Sequence, residues 1–262
     1  MGEKRGSTVF QVNYLNKISP KGTALWTENY QVSEKIEDAD ALLVRSAAMQ
    51  DFTFSNKLLA VARAGAGVNN IPLDRCAEQG IVVFNTPGAN ARSVMELTLC
   101  GLLLGSRDVV GGMEWVKSIA GTPDVAKQVE KGKSQFAGHE ILGKSLGVIG
   151  LGKIGSRVAQ LAQAFGMTVK AYDPYVDGAV MAEKGVEKVD SVLELCSQAD
   201  YLTVHTPLTV ETKGIVGAKE LAAMKDGSIV VNCARGGVVD EAAARDALAS
   251  GKLAGLSMDV LA

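Results

Sequence analysis

The chain has 262 residues, of which 47% are hydrophobic, and a formal net charge of -2 at pH 7. This length suits two ordinary domains with well-formed cores, and a near-neutral charge without a basic block argues against nucleic acid or an anionic membrane as the main partner, leaving a small molecule. The four cysteines are scattered without a CxxC pair, the first residues lack the pattern of a secretory leader, and no histidine has a cysteine at zinc-ligand spacing, so we expect a cytoplasmic protein without a metal.

Strand-like and helical segments alternate along the whole chain, a pattern typical of α/β proteins with parallel sheets covered by helices. In the first third, the sequence predicts strands at 8–12, 41–45, 59–64 and 81–84 and helical segments at 20–26, 55–58 and 73–79. Residues 1–88 would form a smaller, flavodoxin-like doubly wound domain. A break at 85–88 and a long helix over 90–106 then lead into a second domain, residues 89–262.

Cations and flexible backbone follow two strands of the first domain. Arg45 and Ser46 follow the apolar run ALLV, and Arg63 is followed by the glycine-rich segment AGAG. Because ligands of open parallel sheets bind beyond the carboxyl ends of the strands, these residues indicate an anionic ligand. The alternative is a pair of solvated surface arginines. Asn90 also allows two interpretations, since it is a natural N-cap for the long helix and a candidate binding residue.

The segment SLGVIGLGKIG at 145–155 has the order expected of a dinucleotide-binding turn. A short buried strand comes first, and Gly150, Gly152 and Gly155 would supply the tight turn, the close approach to a pyrophosphate and the close packing of the next helix. Apolar residues at helical spacing follow from Ile154, so a helix N-terminus would face the phosphates. The alternative is a glycine-rich turn that serves packing alone.

The next predicted strand, 168–172, ends at Asp173, about 20 residues beyond the glycines, where this fold places an acid that binds the ribose hydroxyls. A carboxylate at this point repels a 2′-phosphate, so the sequence favours NAD over NADP. Strand, glycines, helix, strand and acid all occur in the expected order. We therefore interpret the motif as a cofactor site.

The second domain continues after the cofactor motif with three more strands. They are predicted at 200–205, 228–233 and 254–260, with helices at 191–198, 217–225 and 240–250. Together with the strands around the glycines, they complete a six-strand Rossmann order. Asp240 is a natural N-cap of the last helix.

Two residues just past strands of this domain could carry chemistry. Arg235 follows the strand SIVVNCA and precedes two glycines, and its planar guanidinium suits a carboxylate in bidentate fashion. The alternative is an arginine that bridges a loop. His205 lies at a predicted strand end, where a proton carrier could sit. No carboxylate nearby in the sequence is placed to orient it, so we favour a role in lining a pocket.

These motifs together resemble those of the D-2-hydroxyacid dehydrogenases and, within that family, the enzymes that act on 3-phosphoglycerate. The resemblance runs through nearly the whole chain. The segments that carry it are VRSA at 44–47, ARAGAGVNNIPLD at 62–74, GIVVFNTPGANARSVMEL at 80–97, GLGKIG at 150–155, YDP at 172–174, VHTPLTVETKGIV at 204–216 and NCARGGVVDE at 232–241.

The resemblance implies roles for individual residues. Arg45, Ser46 and Asn90 match substrate-binding positions, with Arg63 assisting at the phosphate, and Arg235 matches the catalytic arginine that grips the carboxylate and polarises C2. The positions that match cofactor contacts, glycines included, are Gly150, Gly152, Lys153, Ile154, Gly155, Asp173, Thr206, Cys233 and Asp259.

The resemblance also implies a reaction and an assembly. Hydride would move from C2 of 3-phosphoglycerate to the nicotinamide of NAD, giving 3-phosphohydroxypyruvate in the first step of serine synthesis. Residues 1–88 would be the substrate-binding domain. The family usually forms homodimers or larger homo-oligomers, and residues 105–133 resemble the arm through which its members pair.

The sequence departs from the family pattern near its end. In the family, a glutamate and then a histidine follow the strand similar to LSMDV. The histidine takes the hydroxyl proton, and the glutamate holds that imidazole in the right tautomer and stabilises its charge. Neither residue is found at the end of this sequence, nor is the segment that completes the substrate domain. We therefore expect this chain to bind NAD but to be inactive alone. The alternatives are another D-2-hydroxyacid dehydrogenase, such as a glyoxylate or hydroxypyruvate reductase, and a noncatalytic NAD-binding module like the corepressors similar to these enzymes.

Overall fold

A computed structural model describes residues 9–262 and divides the chain into two compact units, one ending at Asn90 and the other comprising Ala91–Ala262. Each unit contains one sheet, and every strand pairing in both sheets is parallel. The α/β class with two doubly wound parallel sheets, expected from the alternating segments, is confirmed. Among the described residues, no helix is both long and apolar enough to cross a membrane.

The first unit is a five-stranded sheet in the order β2-β1-β3-β4-β5, which is the flavodoxin-like order. Its strands are β1 Phe10–Tyr14, β2 Tyr30–Val32, β3 Ala41–Val44, β4 Ala60–Arg63 and β5 Val82–Phe84. Its helices are α1 Pro20–Thr23 and α2 Leu73–Glu78, with a 3₁₀ turn at Ile36–Asp38.

Three details of the first unit differ from the sequence prediction. The prediction of a helix at 55–58 is wrong, because only a turn occurs there. Strand β2 was not expected, since all three of its residues are exposed and give no apolar signal of a core strand. The first strand runs over Phe10–Tyr14 rather than 8–12, and Thr8 lies outside the described residues.

The second unit is a six-stranded sheet in the order β11-β10-β9-β6-β7-β8, which is the Rossmann order 6-5-4-1-2-3 counted from its own first strand. The strands are β6 Ser145–Ile149, β7 Thr168–Tyr172, β8 Glu187–Lys188, β9 Tyr201–Val204, β10 Ser228–Asn232 and β11 Leu253–Met258. The sequence prediction of six strands is confirmed. The strand that it did not place, β8, is a two-residue edge strand.

The described part of the second unit contains eight helices. They are α3 Ala91–Ser106, α4 Val109–Ser118, α5 Val125–Gly132, α6 Gly155–Ala164, α7 Gly178–Glu183, α8 Val192–Gln198, α9 Ala218–Ala223 and α10 Glu241–Ala249, with a 3₁₀ turn at Lys133–Phe136. Helix α10 begins at the predicted cap, because the Asp240 carboxylate accepts a hydrogen bond from the Ala243 amide at 2.9 Å.

The centre of the second sheet is buried on both faces. Every residue of β6, β9 and β10 is buried, so these strands show no alternation of buried and exposed positions. Two apolar clusters cover the two faces of the sheet. The carboxyl ends of these three strands are therefore held in fixed register, and the loops that follow them start from rigid positions.

Candidate functional site

The glycine turn between β6 and α6 is shaped by three different glycine environments. Gly150 has φ 89°, a conformation that disfavours other residues, and a Cβ there would come within 2.9 Å of the His205 carbonyl oxygen. A Cβ at Gly155 would overlap the Gly150 carbonyl oxygen. A Cβ at Gly152, in contrast, would meet nothing within 4 Å. Gly150 and Gly155 thus build the turn, and Gly152 leaves open space beside it for a ligand to approach the backbone.

The N-terminus of helix α6 opens from this turn. No side chain caps it at Ile154, so a ligand could take the place of a cap. Lys153 and Gly152 are exposed, while Ile154 packs against the core cluster beneath. This arrangement has the chemistry of a phosphate site, with backbone N–H groups and a positive dipole end beside open space.

Asp173, at the end of β7, shapes the same turn. Its Oδ2 accepts a hydrogen bond from the Leu151 amide at 2.8 Å, and its Oδ1 accepts one from the Tyr175 amide at 2.9 Å. The side chain is buried. Each carboxylate oxygen has room for further donors, so these two bonds fix the carboxylate beside the glycines and leave it able to accept from a ribose hydroxyl.

The loop after β9 holds two buried polar atoms without hydrogen-bond partners among the described residues. They are the Nδ1 of His205 and the Oγ1 of Thr206. The His205 Nε2 lies 3.1 Å from the Thr203 hydroxyl, and burial lowers the pKa of His205 to about 4. Buried polar atoms usually have partners. These two, at the carboxyl edge beside the glycine turn, therefore indicate a place for polar groups of a ligand, and the residues present fit a dinucleotide.

The loop after β10 carries Arg235 and is held by the fully buried side chain of Asn232. The Asn232 Oδ1 accepts from the Ala234 amide at 3.0 Å, and its Nδ2 donates to the Arg235 carbonyl at 2.9 Å. The Arg235 guanidinium itself donates to the Ala234 carbonyl at 2.6 Å. That contact is to the preceding residue of the chain and uses one of the five N–H donors of the guanidinium.

Cys233 and Asp259 lie at the ends of neighbouring strands. Burial raises the pKa of the Cys233 thiol, although a hydrogen bond with Thr98 opposes the rise. A buried thiol of this kind is a packing group rather than a nucleophile. The Asp259 amide donates to the Asn232 carbonyl at 3.1 Å, so both residues stand at the same edge of the sheet as the glycine turn.

In the first unit, Arg45 and Ser46 follow β3 and are exposed, as is Asn90 at the end of the unit. Arg63 is only partly exposed, because its guanidinium donates to two backbone carbonyls, those of Arg45 at 3.1 Å and of Gly67. Asn90 precedes helix α3, which begins at Ala91. The structure therefore assigns Arg63 a loop-bracing contact that sequence reasoning did not anticipate.

A second polar cluster lies at the amino edge of the second sheet. The Tyr201 hydroxyl stands between the Ser106 hydroxyl at 2.7 Å and the His139 Nε2 at 2.9 Å. Asp200 accepts from Lys225 at 3.0 Å in the same region. Burial alone would raise the pKa of Asp200, but hydrogen bonds from Ser145 and Lys225 lower it overall. His139 is an exposed surface residue and lies away from the carboxyl edge of the sheet.

Sequence reasoning missed the residues that hold these loops. Asn232 lies inside the segment NCARGG but was treated as part of a strand. Asn16, whose Oδ1 accepts from the backbone amides of Arg45, Ser46 and Ala47, showed no motif at all. Within the described residues, no group of three or more His, Cys, Asp or Glu side chains could hold a metal ion.

Comparison with known proteins agrees with this geometry. The family described as D-isomer specific 2-hydroxyacid dehydrogenase, NAD binding domain, matches residues 113–262. Curated relatives named D-3-phosphoglycerate dehydrogenase include those of Methanocaldococcus jannaschii, 40% identical over 95% of this chain and 46% of its own length, and of Mycobacterium tuberculosis, 43% identical over 87% and 42%. The chain thus spans less than half the length of these relatives.

A solved structure of D-lactate dehydrogenase from Aquifex aeolicus, complexed with NAD and lactic acid, has a TM-score of 0.78 and 28% identity, covering 96% of this chain and 77% of that one. The family match confirms the expected dinucleotide-binding domain with NAD as its cofactor. The chain therefore belongs to the D-isomer specific 2-hydroxyacid dehydrogenases.

Proposed function

We propose that the protein is an NAD-dependent oxidoreductase that converts D-3-phosphoglycerate to 3-phosphohydroxypyruvate, the first step of serine synthesis. The observation that carries the enzyme class is the glycine turn, where two glycines close the backbone and Gly152 leaves space beside the α6 N-terminus. The phosphorylated substrate is supported by the names of the curated relatives and by the exposed arginine at the end of β3.

In this proposal the cofactor is held by residues at the carboxyl edge of the second sheet. Gly150, Gly152, Gly155, Lys153 and Ile154 would hold the pyrophosphate, Asp173 the ribose hydroxyls, and Thr206, Cys233 and Asp259 the remaining part. When bound, NAD supplies the nicotinamide ring that accepts hydride from C2 of the substrate. The orphaned Thr206 Oγ1 would gain its missing hydrogen bond there.

The substrate is an anion, and the proposal assigns it cationic and polar residues. Arg235 would grip the carboxylate with paired N–H donors and polarise the bond at C2. Arg45, Ser46 and Asn90 would bind the same molecule. Arg63 would assist at the phosphate by holding the backbone of Arg45, to whose carbonyl its Nε donates.

The two histidines of this chain are poor candidates for the group that takes the hydroxyl proton. A general base works best with a pKa near the operating pH, and burial lowers the pKa of His205 to about 4. His139 lies at the opposite edge of the sheet, against Tyr201. We therefore expect these 262 residues alone to bind both ligands and to turn over far more slowly than the roughly 1 to 1000 per second of ordinary dehydrogenases.

Two further parts of the proposal concern the setting of the enzyme. A homodimer or larger homo-oligomer is supported by the exposed apolar side chains of α4, namely Val109, Val110, Met113 and Val116. A cytoplasmic location is supported by four unpaired cysteines, since disulfides are rare in that compartment. The second candidate activity is oxidation of a non-phosphorylated 2-hydroxy acid, which the fold shared with the Aquifex D-lactate dehydrogenase favours.

Calorimetric titration tests the proposal in two steps, first with NADH and then with D-3-phosphoglycerate or D-lactate on the protein saturated with NADH. We expect NADH to bind, and phosphoglycerate to bind at least about tenfold more tightly than lactate, a difference of about 1.4 kcal/mol. Equal affinity for the two acids would favour the second candidate. No binding of NADH would refute both.

The Arg235→Lys variant tests the proposed role of the guanidinium. It should lower the affinity for phosphoglycerate about tenfold or more and change the affinity for NADH by no more than about threefold, because lysine cannot bind a carboxylate in bidentate fashion. Arg245→Lys is the matched control, since Arg245 is an exposed arginine on α10. Equal losses in the two variants would contradict the assignment.

A further inference from the structure

Three successive backbone N–H groups of the loop that follows β3 share one side-chain oxygen as their acceptor. The backbone amides of Arg45, Ser46 and Ala47 all donate to the Oδ1 of Asn16, at 2.8, 2.9 and 3.0 Å. Three successive N–H groups that converge on one point form a concavity suited to an anion or a carbonyl oxygen. In this structure Asn16 fills that concavity.

The order of strands explains why Asn16 reaches this loop. Strands β1 and β3 are parallel neighbours, with Tyr14 paired to Leu43, and the Leu15 amide continues the ladder with a 2.9 Å bond to the Leu43 carbonyl. Asn16 therefore leaves β1 at the level where Arg45 leaves β3. Asn16 and Arg45 are separated by 29 positions in sequence, so only the sheet brings them together.

The same loop is held from its other side by two more side chains. The Arg63 Nε donates to the Arg45 carbonyl at 3.1 Å, and the Asn70 Nδ2 donates to the Ala47 carbonyl at 2.8 Å. The backbone N–H and C=O groups of both Arg45 and Ala47 are thus hydrogen-bonded to side chains. The side chains of Arg45 and Ser46 stay exposed. The loop therefore has a fixed backbone and two available polar side chains.

The chemistry of residue 16 suits an anionic ligand nearby. An amide oxygen accepts the three N–H groups without adding a negative charge, whereas a carboxylate in its place would offset the charge of Arg45. A loop that is already ordered also binds a ligand with a smaller entropic cost than one that must be fixed on binding. The Asn16 side chain therefore supplies a hydrogen-bond acceptor that carries no charge.

We propose that Asn16 is a positioning residue for substrate, which holds the Arg45–Ala47 backbone so that Arg45 and Ser46 face the anionic groups of the hydroxy acid. This inference rests on the proposed function, because it takes the substrate to be a phosphorylated hydroxy acid. It adds a residue that contacts no substrate atom and acts through the loop.

Three variants distinguish the effect of removing the acceptor from the effect of adding a charge and from a general loss of stability. Asn16→Leu keeps the side-chain size and removes the acceptor, while Asn16→Asp keeps the acceptor and adds a charge. Asn13→Ala is the matched control, because Asn13 lies on the same strand and bonds the Ser33 carbonyl at 2.7 Å rather than this loop. The measurements are amide hydrogen exchange at 45–47 without ligand and calorimetric titration with NADH and D-3-phosphoglycerate.

Asn16→Leu should lose exchange protection at these three amides and bind phosphoglycerate about tenfold more weakly, with NADH affinity within about twofold. Asn16→Asp should keep the protection and lose only about threefold in phosphoglycerate affinity. Asn13→Ala should leave the loop amides and both affinities unchanged.

Unchanged exchange and affinity in Asn16→Leu would overturn the inference, and so would an Asn16→Asp loss as large as that of Asn16→Leu with protection intact. A parent protein that binds NADH but not phosphoglycerate would refute the proposed substrate and with it the role of Asn16 toward that substrate. Exchange in the parent and variants would then show separately whether Asn16 holds the loop.

Discussion

Each of the two units has a loop at the carboxyl edge of its sheet whose backbone N–H groups are accepted by a side chain just past a neighbouring strand, but the two loops are built differently. In the second unit, the Asp173 carboxylate accepts from Leu151 and Tyr175, and glycines without side chains shape the turn. In the first unit, the neutral Asn16 amide accepts from three residues whose side chains are exposed.

The difference matches the ligands that we propose for the two loops. A pyrophosphate is bound by backbone N–H groups, so the turn needs close approach and gains from having no side chains. A small hydroxy acid is bound by side chains, so the loop needs a fixed backbone with its side chains available. The strands that lead into the two loops also differ. Strand β6 is buried throughout, whereas β1 and β3 are only partly buried.

Substituting the glycines of the turn should produce the largest effect. Gly155→Ala places a methyl group against the Gly150 carbonyl oxygen, and we expect it to lower the free energy of unfolding by about 3 kcal/mol or more and to abolish NADH binding. Gly152→Ala is the matched control, since its methyl group meets nothing within 4 Å. It should change the free energy of unfolding by no more than about 0.5 kcal/mol and still weaken the binding of NADH. Denaturant unfolding and titration measure both, and equal destabilisation would contradict a backbone-shaped turn.

The second unit contains a buried histidine that should make stability depend on pH, whereas the loop of the first unit should not respond to pH. Burial lowers the pKa of His205 from 6.5 to about 4, so between these values the unfolded chain takes up a proton that the folded chain does not. Stability should therefore fall as the pH drops from about 6.5 to about 4, by about 2 kcal/mol once partial exposure is allowed for. The Asn16 amide does not titrate, and exchange at 45–47 should keep its native protection pattern throughout this window.

His205→Gln should flatten that slope, and His139→Gln, at the exposed histidine, should preserve it. The measurement is denaturant unfolding at pH values across the window for the three proteins. An unchanged slope in His205→Gln would show that other groups cause the pH dependence.

Removing the carboxylate that holds the glycine turn should have the smallest of the three effects. Asp173→Ala should weaken NADH about tenfold and NADPH less, because only NAD offers both free hydroxyls to the acid and a 2′-phosphate is repelled by it. Asp177→Ala is the control, because Asp177 caps α7 through the Ala179 amide at 2.7 Å and does not contact the turn. Titration with both nucleotides decides the matter, and equal losses would refute the assignment.

Local motifs were informative wherever one continuous segment builds the structure. The segment from Ser145 to Asp173 contains a strand, a turn, a helix and a second strand in the order that the fold requires, so its elements were predicted within one or two residues. The prediction was wrong at 55–58, where four residues are too few for a helical period to be tested, and it omitted β2, whose residues are exposed.

The residues that hold the loops could not be predicted in the same way. Asn232 sits inside a recognised segment, but its bonds to Ala234 and Arg235 exist only because β10 ends where the chain turns. The unpartnered state of the His205 Nδ1 and the Thr206 Oγ1 depends on everything packed around them. A single sequence contains no signal for an unsatisfied atom.

Residue order alone was thus sufficient to establish the α/β class, the glycine turn with its acid and the expected cofactor, because each of these depends on neighbours along the chain. The bracing of residues 45–47 by Asn16, Arg63 and Asn70 was decided by the folded sheet. Those contacts join separate strands, and their partners are set by strand order and register, which local spacing does not encode.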